Sequence, residues 1–187
     1  FPPILRTIKN PPKLIFIKGE IKTQDDLAVA IIGTRKPTDY GKEMASAVAK
    51  RFAELGFTIV SGFAKGVDVI GMESALKNEG RVIGVIASGI LNLYPKENQY
   101  LVEELVNNGA LISERFPEKP VTVRGLQMRN RITSGFGLAN ILVEGMKSSG
   151  TKWQLKFGRQ QEKPAIAVEP KDPECPQAHV PKLVMDE

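Results

Sequence analysis

Three glycine-containing stretches of the sequence combine hydroxyl and basic side chains in a way that is typical of phosphate-binding loops. They read GTRKPTDYG at 33–41, SGFAKGVD at 61–68 and EGMKSSGTKWQ at 144–154. Glycine lets the backbone approach an anion closely, a hydroxyl donates a hydrogen bond to it, and arginine or lysine supplies the opposite charge. The candidate phosphate-binding residues in these stretches are Gly33, Thr34, Arg35, Ser61, Gly62, Lys65, Gly66, Ser149, Gly150, Thr151 and Lys152.

Each stretch follows an apolar run, and these runs predict the elements that must position the loops. Six runs rich in β-branched residues predict buried strands; they cover 27–33, 57–62, 81–88, 109–114, 140–145 and 164–170. Apolar residues from Met44 to Leu55 recur at helical spacing, and Gly56 follows where a helix would end. Comparable patterns precede Gly80 and Gly109. The alternation predicts an α/β fold, a doubly wound, mostly parallel Rossmann-like sheet with helices on both faces.

In such a sheet, ligands bind at the carboxyl ends of the strands, where the free N–H groups of helix N-termini attract anions. We therefore expect the three stretches to lie at the same end of the sheet. The alternative for any one stretch is an ordinary turn between a strand and a helix, with Asp68 as a capping residue in the first helical turn.

The length of 187 residues, 42% of them hydrophobic, predicts one sizeable core. We expect a single domain over 1–170, of which 1–26 is a lead-in to the first strand. The segment 171–187 contains several prolines and shows neither helical nor strand periodicity. It is expected to form an extended tail.

The distribution of charge indicates an anionic partner. The formal net charge is +5, and the segment from Lys119 to Lys163 carries nine basic residues against only Glu144 and Glu162. A field of one sign on one part of a surface favours nucleic acid or a phosphorylated ligand. The alternative is a basic surface that serves solubility only.

Several function classes are disfavoured by what the sequence lacks. A single cysteine, Cys175, and a single histidine, His179, make a disulfide, a zinc cluster and a Ser/His/Asp triad improbable. Neither a Walker A loop nor a GxGxxG motif follows a strand, so no cofactor and no metal are expected. The apolar runs are too short to span a bilayer and no signal peptide opens the chain, which predicts a cytoplasmic protein without a membrane partner.

Eight motifs in order resemble the DprA/Smf family of DNA-processing proteins. They are GTRKPTDYG, IVSGFAKGVD, LYPKEN, GALISE, MRNRI, LVEG, SSGT and GRQ, and the resemblance covers nearly all of 1–170. It implies a Rossmann-like protein of natural transformation that binds and protects single-stranded DNA and loads a RecA-type recombinase, without catalysis and often as a homodimer. The resemblance departs at Gly71 and Met72, where the family usually has Ala-His, and after SSGT, where KWQLKFGRQQ replaces a small, apolar helix opening.

The Arg-Asn-Arg triplet is a hallmark of that family pattern. By topology, Arg129, Asn130 and Arg131 are expected to open the helix that leads into the fifth predicted strand, and all three join the candidate DNA-binding residues. Arginines two positions apart point to different faces of a helix. We expect Arg129 to contact phosphate and the other arginine to brace the sheet edge, for example through Glu144. In the alternative, both arginines only tie loops together.

Two other functions are compatible with the same loops. The sheet and its glycine turns also resemble the lysine-decarboxylase-like LOG nucleotide phosphoribohydrolases, whose motif is PGGxGTxxE. The corresponding stretch here is KSSGTKWQ, and Gln154 stands where the glutamate would be. An amide is not a general base near neutral pH, so this enzyme reading is disfavoured. A nucleotide-sensing module without catalysis is the other alternative.

Overall fold

A computed structural model describes residues 1–186 and shows a seven-stranded sheet with six α-helices among those residues. The strands are β1 (Phe16–Gly19), β2 (Ala28–Ile32), β3 (Thr58–Ser61), β4 (Val82–Ile86), β5 (Gly109–Ser113), β6 (Asn140–Leu142) and β7 (Ala165–Ala167). The helices are α1 (Asp39–Glu54), α2 (Val67–Lys77), α3 (Val102–Asn107), α4 (Val123–Phe136), α5 (Thr151–Gln160) and α6 (His179–Met185). The six strands that the apolar runs predict are present as β2 to β7.

The strand order is β1-β5-β4-β3-β2-β6-β7, and every pair is parallel except β1 with β5. The chain therefore runs from β2 to β5 in one direction across the sheet and then returns to place β6 on the other side of β2. This confirms the predicted doubly wound, mostly parallel α/β fold.

Buried side chains cover both faces of the sheet because alternate strand residues point to opposite sides. One core contains Ile31 and Ile59 together with side chains of α1, α2 and α3. The second contains Val60 and Ile83 together with Ile132 and Phe136 of α4. Helices thus pack on both faces, and the loops at the carboxyl end of the sheet are held from two sides.

The lead-in segment 1–26 contributes more than the sequence pattern indicates. Leu5 is fully buried in the α4 core, and Phe16–Gly19 forms the antiparallel edge strand β1. This seventh strand is not among the six predicted ones. Most of its residues are exposed, so FIKG lacks the continuous apolar run of the interior strands.

The prediction of an extended tail over 171–187 is wrong for its second half. A short 3-10 helix at Pro176–Ala178 leads into α6, and Val180 is fully buried against Leu142 and Leu155. Proline at position 181 is tolerated because it lies in the first turn, where the backbone N–H has no partner within the helix. Tertiary packing, which local sequence does not encode, stabilises this helix.

Candidate phosphate-binding site

Strands β2 and β6 are neighbours in the sheet, but the chain continues from them towards opposite edges, so the loops after them separate. Open α/β sheets bind ligands at such a point, beyond the carboxyl ends of the strands. A cavity of about 330 Å³ lies there, bounded by these two loops, the loop after β3 and one side of α4. The predicted site residues that line it are Gly33, Thr34, Arg35, Gly62, Arg129, Asn130, Ser149, Gly150 and Thr151.

The loops after β2 and β3 touch each other closely. Gly66 has φ +80°, and a Cβ there would overlap the carbonyl oxygen of Thr34. The N–H of Val67 donates to that same oxygen at 3.2 Å. Thr34 is itself buried, and its hydroxyl oxygen accepts from the N–H of Lys36 at 3.2 Å, whereas Arg35 is exposed. The two loops therefore form one rigid rim with the Arg35 guanidinium on its solvent side.

Three predicted residues at the end of β3 and in the loop after it lie outside the main cavity, and one of them is Gly66, which contacts Thr34 as described above. The hydroxyl of Ser61 is fully buried and donates to the carbonyl of Ile31 at 2.6 Å, so this residue joins neighbouring strands. Lys65 is exposed and forms an ion pair of 2.6 Å with Glu97. It lines a smaller cavity of about 40 Å³ that also contacts Arg35 and Arg129. Lys65 is thus placed beside the site and not within it.

Glu144 was expected to pair with an arginine. Among the described residues it instead binds Thr38 and stabilises the loop after β2. Its carboxylate accepts hydrogen bonds from the N–H of Thr38 at 2.9 Å and from the Thr38 hydroxyl at 2.6 Å. Thr38 caps α1, and a Cβ on Gly41 in the first turn would overlap the carboxylate. A negative charge at a helix N-terminus is favourable, which explains this position.

The loop after β6 ends in the first turn of α5. The hydroxyl oxygen of Ser149 accepts from the N–H of Thr151 at 3.2 Å and from the Thr151 hydroxyl at 2.9 Å. Gly150 precedes the helix, and Lys152 is exposed without lining the cavity. Trp153 lines the cavity with 37% of its surface exposed. The first turn of α5 and the Trp153 side chain thus border the same space.

Arg129 is the buried cation of the site. It is only 8% exposed, and its Nη1 donates to the carbonyl of Val85 at 3.0 Å. Its Nε has no hydrogen-bond partner among residues 1–186. Burial, together with the positive charge of Arg35, lowers the pKa of Arg129 to about 10. The negative charge of Asp68 opposes this shift. The expectation that Arg129 faces the site agrees with this position, and its contact with phosphate stays a prediction.

Asp68 is the buried carboxylate opposite Arg129. It lies in the first turn of α2 and accepts a hydrogen bond from the N–H of Ala64 at 3.3 Å. Burial raises the pKa of Asp68 above its usual value, and the positive charge of Arg129 opposes this shift. The N-cap of α2 is Gly66 and it has no side-chain cap, so Asp68 holds the β3 loop from inside the first turn and also balances part of the charge of Arg129.

Arg131 points away from the cavity, so its inclusion among the site residues is not supported by its position. Its guanidinium donates to both carboxylate oxygens of Glu114, and to the carbonyls of Asn10 at 2.8 Å and Met128 at 3.0 Å. The two arginines do face different sides, as expected. The triplet does not open a helix, however, because α4 begins at Val123 and the triplet lies in its interior.

Other residues at the cavity include some that the sequence patterns did not identify. Lys36, Gln127 and Met146 line it, and only Lys36 and Met146 belong to the glycine stretches. Gln154, also in the lining, is 2% exposed and its amide contacts the side chain of Asn140. Gln127 precedes Asn130 by three positions, so the two side chains share a face of α4, and this spacing is a signal that could have identified Gln127.

Within residues 1–186, no group of three or more histidine, cysteine, aspartate or glutamate side chains is arranged to hold a metal ion. None of the helices described for this part of the chain is both long and apolar enough to cross a bilayer.

Comparison of the sequence with known proteins gives a consistent result. A family model described as DNA recombination-mediator protein A matches residues 1–182. DNA processing protein DprA of Bacillus subtilis (strain 168) is 38% identical over 152 residues, which are 81% of this chain and 51% of that protein. Protein Smf of Synechocystis sp. is 31% identical over 184 residues, covering 96% of this chain and 46% of the relative. The chain thus spans about half the length of these relatives.

Solved structures of similar fold point the same way. DNA processing protein A of Helicobacter pylori, studied for its single-stranded DNA binding mode, superposes with a TM-score of 0.90 at 29% identity, covering 100% of this chain and 85% of that one. DprA of Streptococcus pneumoniae gives 0.92 at 27% identity, with coverages of 100% and 65%. A molybdenum cofactor carrier protein of Chlamydomonas reinhardtii, at 0.53 and 15% identity, shares the fold alone.

Proposed function

The chain belongs to the DNA recombination-mediator protein A family, and on that premise we propose that it binds single-stranded DNA at the cavity described above and presents the strand to a RecA-type recombinase. Under this proposal the protein protects the strand and breaks no bond. The Helicobacter pylori relative is a single-stranded DNA-binding protein of the same fold, which supports the choice of ligand.

The observation that carries the proposal is the convergence of an exposed and a buried arginine at one cavity. Arg35 and Arg129 both line it, together with the first-turn residues of α5. A buried guanidinium is costly unless an anion or a hydrogen-bond partner compensates it. Asp68 supplies only part of this compensation, because burial disfavours its own charged form. A phosphate oxygen in the cavity would complete it.

The proposal that the protein breaks no bond rests on the surroundings of the side chains that could occupy the place of a general base. Gln154, at the place of the LOG glutamate, is a buried amide. The carboxylate of Glu144 is engaged by Thr38, and that of Asp68 by the β3 loop. None of these groups is positioned as a free general base, which needs hydrogen-bond reach to a substrate proton. Release of free base from nucleoside monophosphates, lost on Glu144→Gln, would overturn this part of the proposal.

A nucleotide is the second candidate ligand because of the size of the cavity. A volume of about 330 Å³ falls within the usual range of small-molecule sites. The three glycine loops suit a single phosphorylated nucleotide as well as a strand. The two ligands differ in how affinity depends on length, since an oligonucleotide gains further phosphate and stacking contacts.

A mobility-shift comparison tests the proposed function. The protein is titrated against a labelled single strand and against the matching duplex at the same salt concentration, and unlabelled nucleoside monophosphate serves as competitor. We expect the single strand to bind more tightly than the duplex and the mononucleotide to compete weakly. Equal or tighter duplex binding contradicts the proposal. Complete displacement by a mononucleotide at concentrations similar to the strand favours the nucleotide-sensing alternative.

We further propose a homodimer and, because the single cysteine of the sequence is a free thiol, a reducing, cytoplasmic location. Strands β1 and β7 are the two edge strands of the sheet, and the side chain of Ile166 on β7 is 49% exposed. An exposed apolar edge of this kind favours pairing with a second chain. Light scattering at roughly tens of micromolar protein tests it, since ordinary interfaces are populated in this range. A single monomeric species there would contradict the dimer.

A further inference from the structure

A second cavity of about 300 Å³ lies on the other side of α4 from the candidate site, at the carboxyl ends of β4 and β5. Its basic lining residues are Arg115, Arg124 and Arg129. Leu126, Gln127 and Asn130 face the first cavity, whereas Gly125, Met128 and Ile132 face the second. Arg129 lies between them and borders both.

The side chains of this second cavity carry an excess of positive charge. Its one acidic residue, Glu114, has both carboxylate oxygens bound by Arg131, so its negative charge is already neutralised. The three arginines that line the cavity have no second carboxylate among the lining residues. An anion is the ligand that this arrangement favours.

Two of these arginines have unused hydrogen-bonding capacity. In the part of the chain that the structure describes, the Nε of Arg115 and the Nε of Arg129 are both buried without a partner, and Arg129 is more than nine-tenths buried as a whole. Arg115 uses Nη2 to donate to the carbonyl of Pro120 at 3.1 Å, which fixes the direction of its guanidinium. Buried donors without partners are rare in folded proteins and cost free energy, so these groups indicate a missing acceptor.

The first turn of α4 borders the same cavity. Thr122 caps the helix by accepting from the N–H of Gly125 at 3.0 Å, and Thr122, Arg124 and Gly125 are among the lining residues. A Cβ on Gly125 would come within 3.2 Å of the carbonyl of Ala87, so glycine brings the helix start close to the end of β4. The N–H groups of Val123 and Arg124 belong to the turn whose donors have no partner within the helix.

The small cavity of about 40 Å³ lies between the first and the second, because it has lining residues in common with both. It shares Arg35 and Gly62 with the first cavity and Ala87 with the second. Together the three spaces follow the carboxyl-terminal edge of the sheet from β6 and β2, past β3, to β4 and β5.

We propose that the second cavity binds another phosphate of the same DNA strand, through Arg115, Arg124 and the first turn of α4. The bound strand then crosses the carboxyl-terminal edge of the sheet from the loop after β6 to the loop after β5. This inference rests on the proposed function, because it assigns a second set of contacts to the same ligand. Arg129, shared by both cavities, holds the strand where it passes α4.

The test compares two oligothymidines. The short one has roughly four nucleotides, the lower end of the site sizes of single-strand binding modules, and the long one has roughly twenty, which exceeds them. Arg124→Gln is the main variant because Arg124 is exposed on the first turn of α4, where loss of a positive charge does not disfavour the helix. Arg51→Gln, at an exposed arginine of α1, is the matched control. Arg35→Gln reports on the first cavity.

We expect Arg124→Gln to weaken binding of the long strand several-fold and to flatten its dependence of log K on log salt by about 0.7, the value of one phosphate contact to a single strand. The short strand should bind as tightly as it does to the unchanged protein. Arg35→Gln should weaken both strands, and Arg124→Lys should restore most of the salt dependence. Arg115→Gln, with its fold checked by thermal unfolding, should behave like Arg124→Gln.

The outcomes separate this inference from the proposed function. If Arg124→Gln matches Arg51→Gln on the long strand while Arg35→Gln is impaired, the proposed function stands and the second contact is refuted. Equal loss of short and long strands in Arg124→Gln also refutes it, since net charge alone would then explain the effect. If the unchanged protein binds neither strand, the proposed function fails and this inference fails with it.

Discussion

The guanidinium of Arg129 occupies the space in which a side chain at Gly62 would lie. A Cβ built on Gly62 would overlap Nη1 of Arg129 and would also come within 2.6 Å of a carboxylate oxygen of Asp68. The end of β3 and the middle of α4 are therefore in direct contact across the site. The absence of a side chain at position 62 is what allows the buried arginine to reach the carbonyl of Val85.

Gly62→Ala should displace Arg129, weaken single-stranded DNA binding and destabilise the fold. The added methyl group requires the buried guanidinium or the β3 loop to move, and overpacking of this kind costs about 1–3 kcal/mol. Urea unfolding measures the loss of stability, and a mobility shift measures the loss of binding. Gly150→Ala is the matched control for stability alone, because a Cβ there meets nothing within 4 Å although the residue lines the cavity. Equal stability of the two variants would contradict the proposed overlap.

Arg35→Gln should weaken binding to single strands of every sequence by a similar factor. Arg35 is exposed on the rim of the cavity and is expected to contact the phosphate backbone, which carries no base information. The slope of log K against log salt should flatten by about 0.7, while the melting temperature stays nearly unchanged. Lys171→Gln, in the exposed segment after β7, should leave the slope as it is. Equal effects of both changes would mean that only net charge matters.

Arg131→Met should destabilise the protein, and Arg131→Met combined with Glu114→Gln, which leaves no unpaired carboxylate at the second cavity, should not change the salt slope of DNA binding. The Arg131 side chain is 5% exposed, and its partner Glu114 is 36% exposed. Breaking a fully buried pair costs about 3–5 kcal/mol, and the partial exposure of Glu114 reduces the expected loss to roughly 2 kcal/mol. Urea unfolding of the two single variants and of the double variant, Arg131→Met with Glu114→Gln, measures the coupling free energy between the two side chains. A flattened slope in the folded double variant would instead place Arg131 in the DNA contact.

Asp68→Asn should change how stability depends on pH. Burial raises the pKa of Asp68 in the folded protein above its usual value of 3.8, so between these two values the folded state holds a proton that the unfolded state has lost. The contribution of Asp68 to stability therefore falls as the pH rises through that window.

Urea unfolding at a series of pH values checks this sign. The unfolding free energy of the unchanged protein minus that of Asp68→Asn should decrease as the pH rises above 3.8 and then level off. An increase over the same window would mean that attraction to Arg129 outweighs the cost of burial. The same comparison with Asp39→Asn, at an exposed carboxylate whose pKa is lowered by its hydrogen bond to Lys42, should not show this decrease above pH 3.8.

The interior strands could be predicted from the sequence because each is a continuous run of apolar residues between turn signals. Val82–Ile86, for example, is buried at every position. Phe16–Gly19 lies at a sheet edge and α6 is held by the burial of Val180, so neither produces a local pattern. These two elements depend on contacts between residues far apart in the chain, which periodicity does not encode.

The candidate site was predictable to the level of loops but not of individual partners. Loops that follow parallel strands must meet at one edge of the sheet, which placed Thr34, Gly62 and Thr151 together. Which arginine of the triplet faces the cavity depends on how α4 is rotated against the sheet. That rotation is set by the burial of Ile132 and Phe136, and spacing alone does not determine it.

The segment that follows β7 also gives the protein a built-in place for a reporter group. Cys175 is the sequence's one cysteine, and its thiol donates to the side chain of Gln177 at 2.9 Å. Gln177 in turn contacts both rims of the first cavity, donating to the carbonyl of Lys36 at 3.3 Å and accepting from the N–H of Gly145 at 2.8 Å. A thiol-reactive fluorophore therefore attaches at a single position, two residues from the bridge between the loops. Spectroscopic observation of the site needs no engineered cysteine and leaves every proposed contact residue in place.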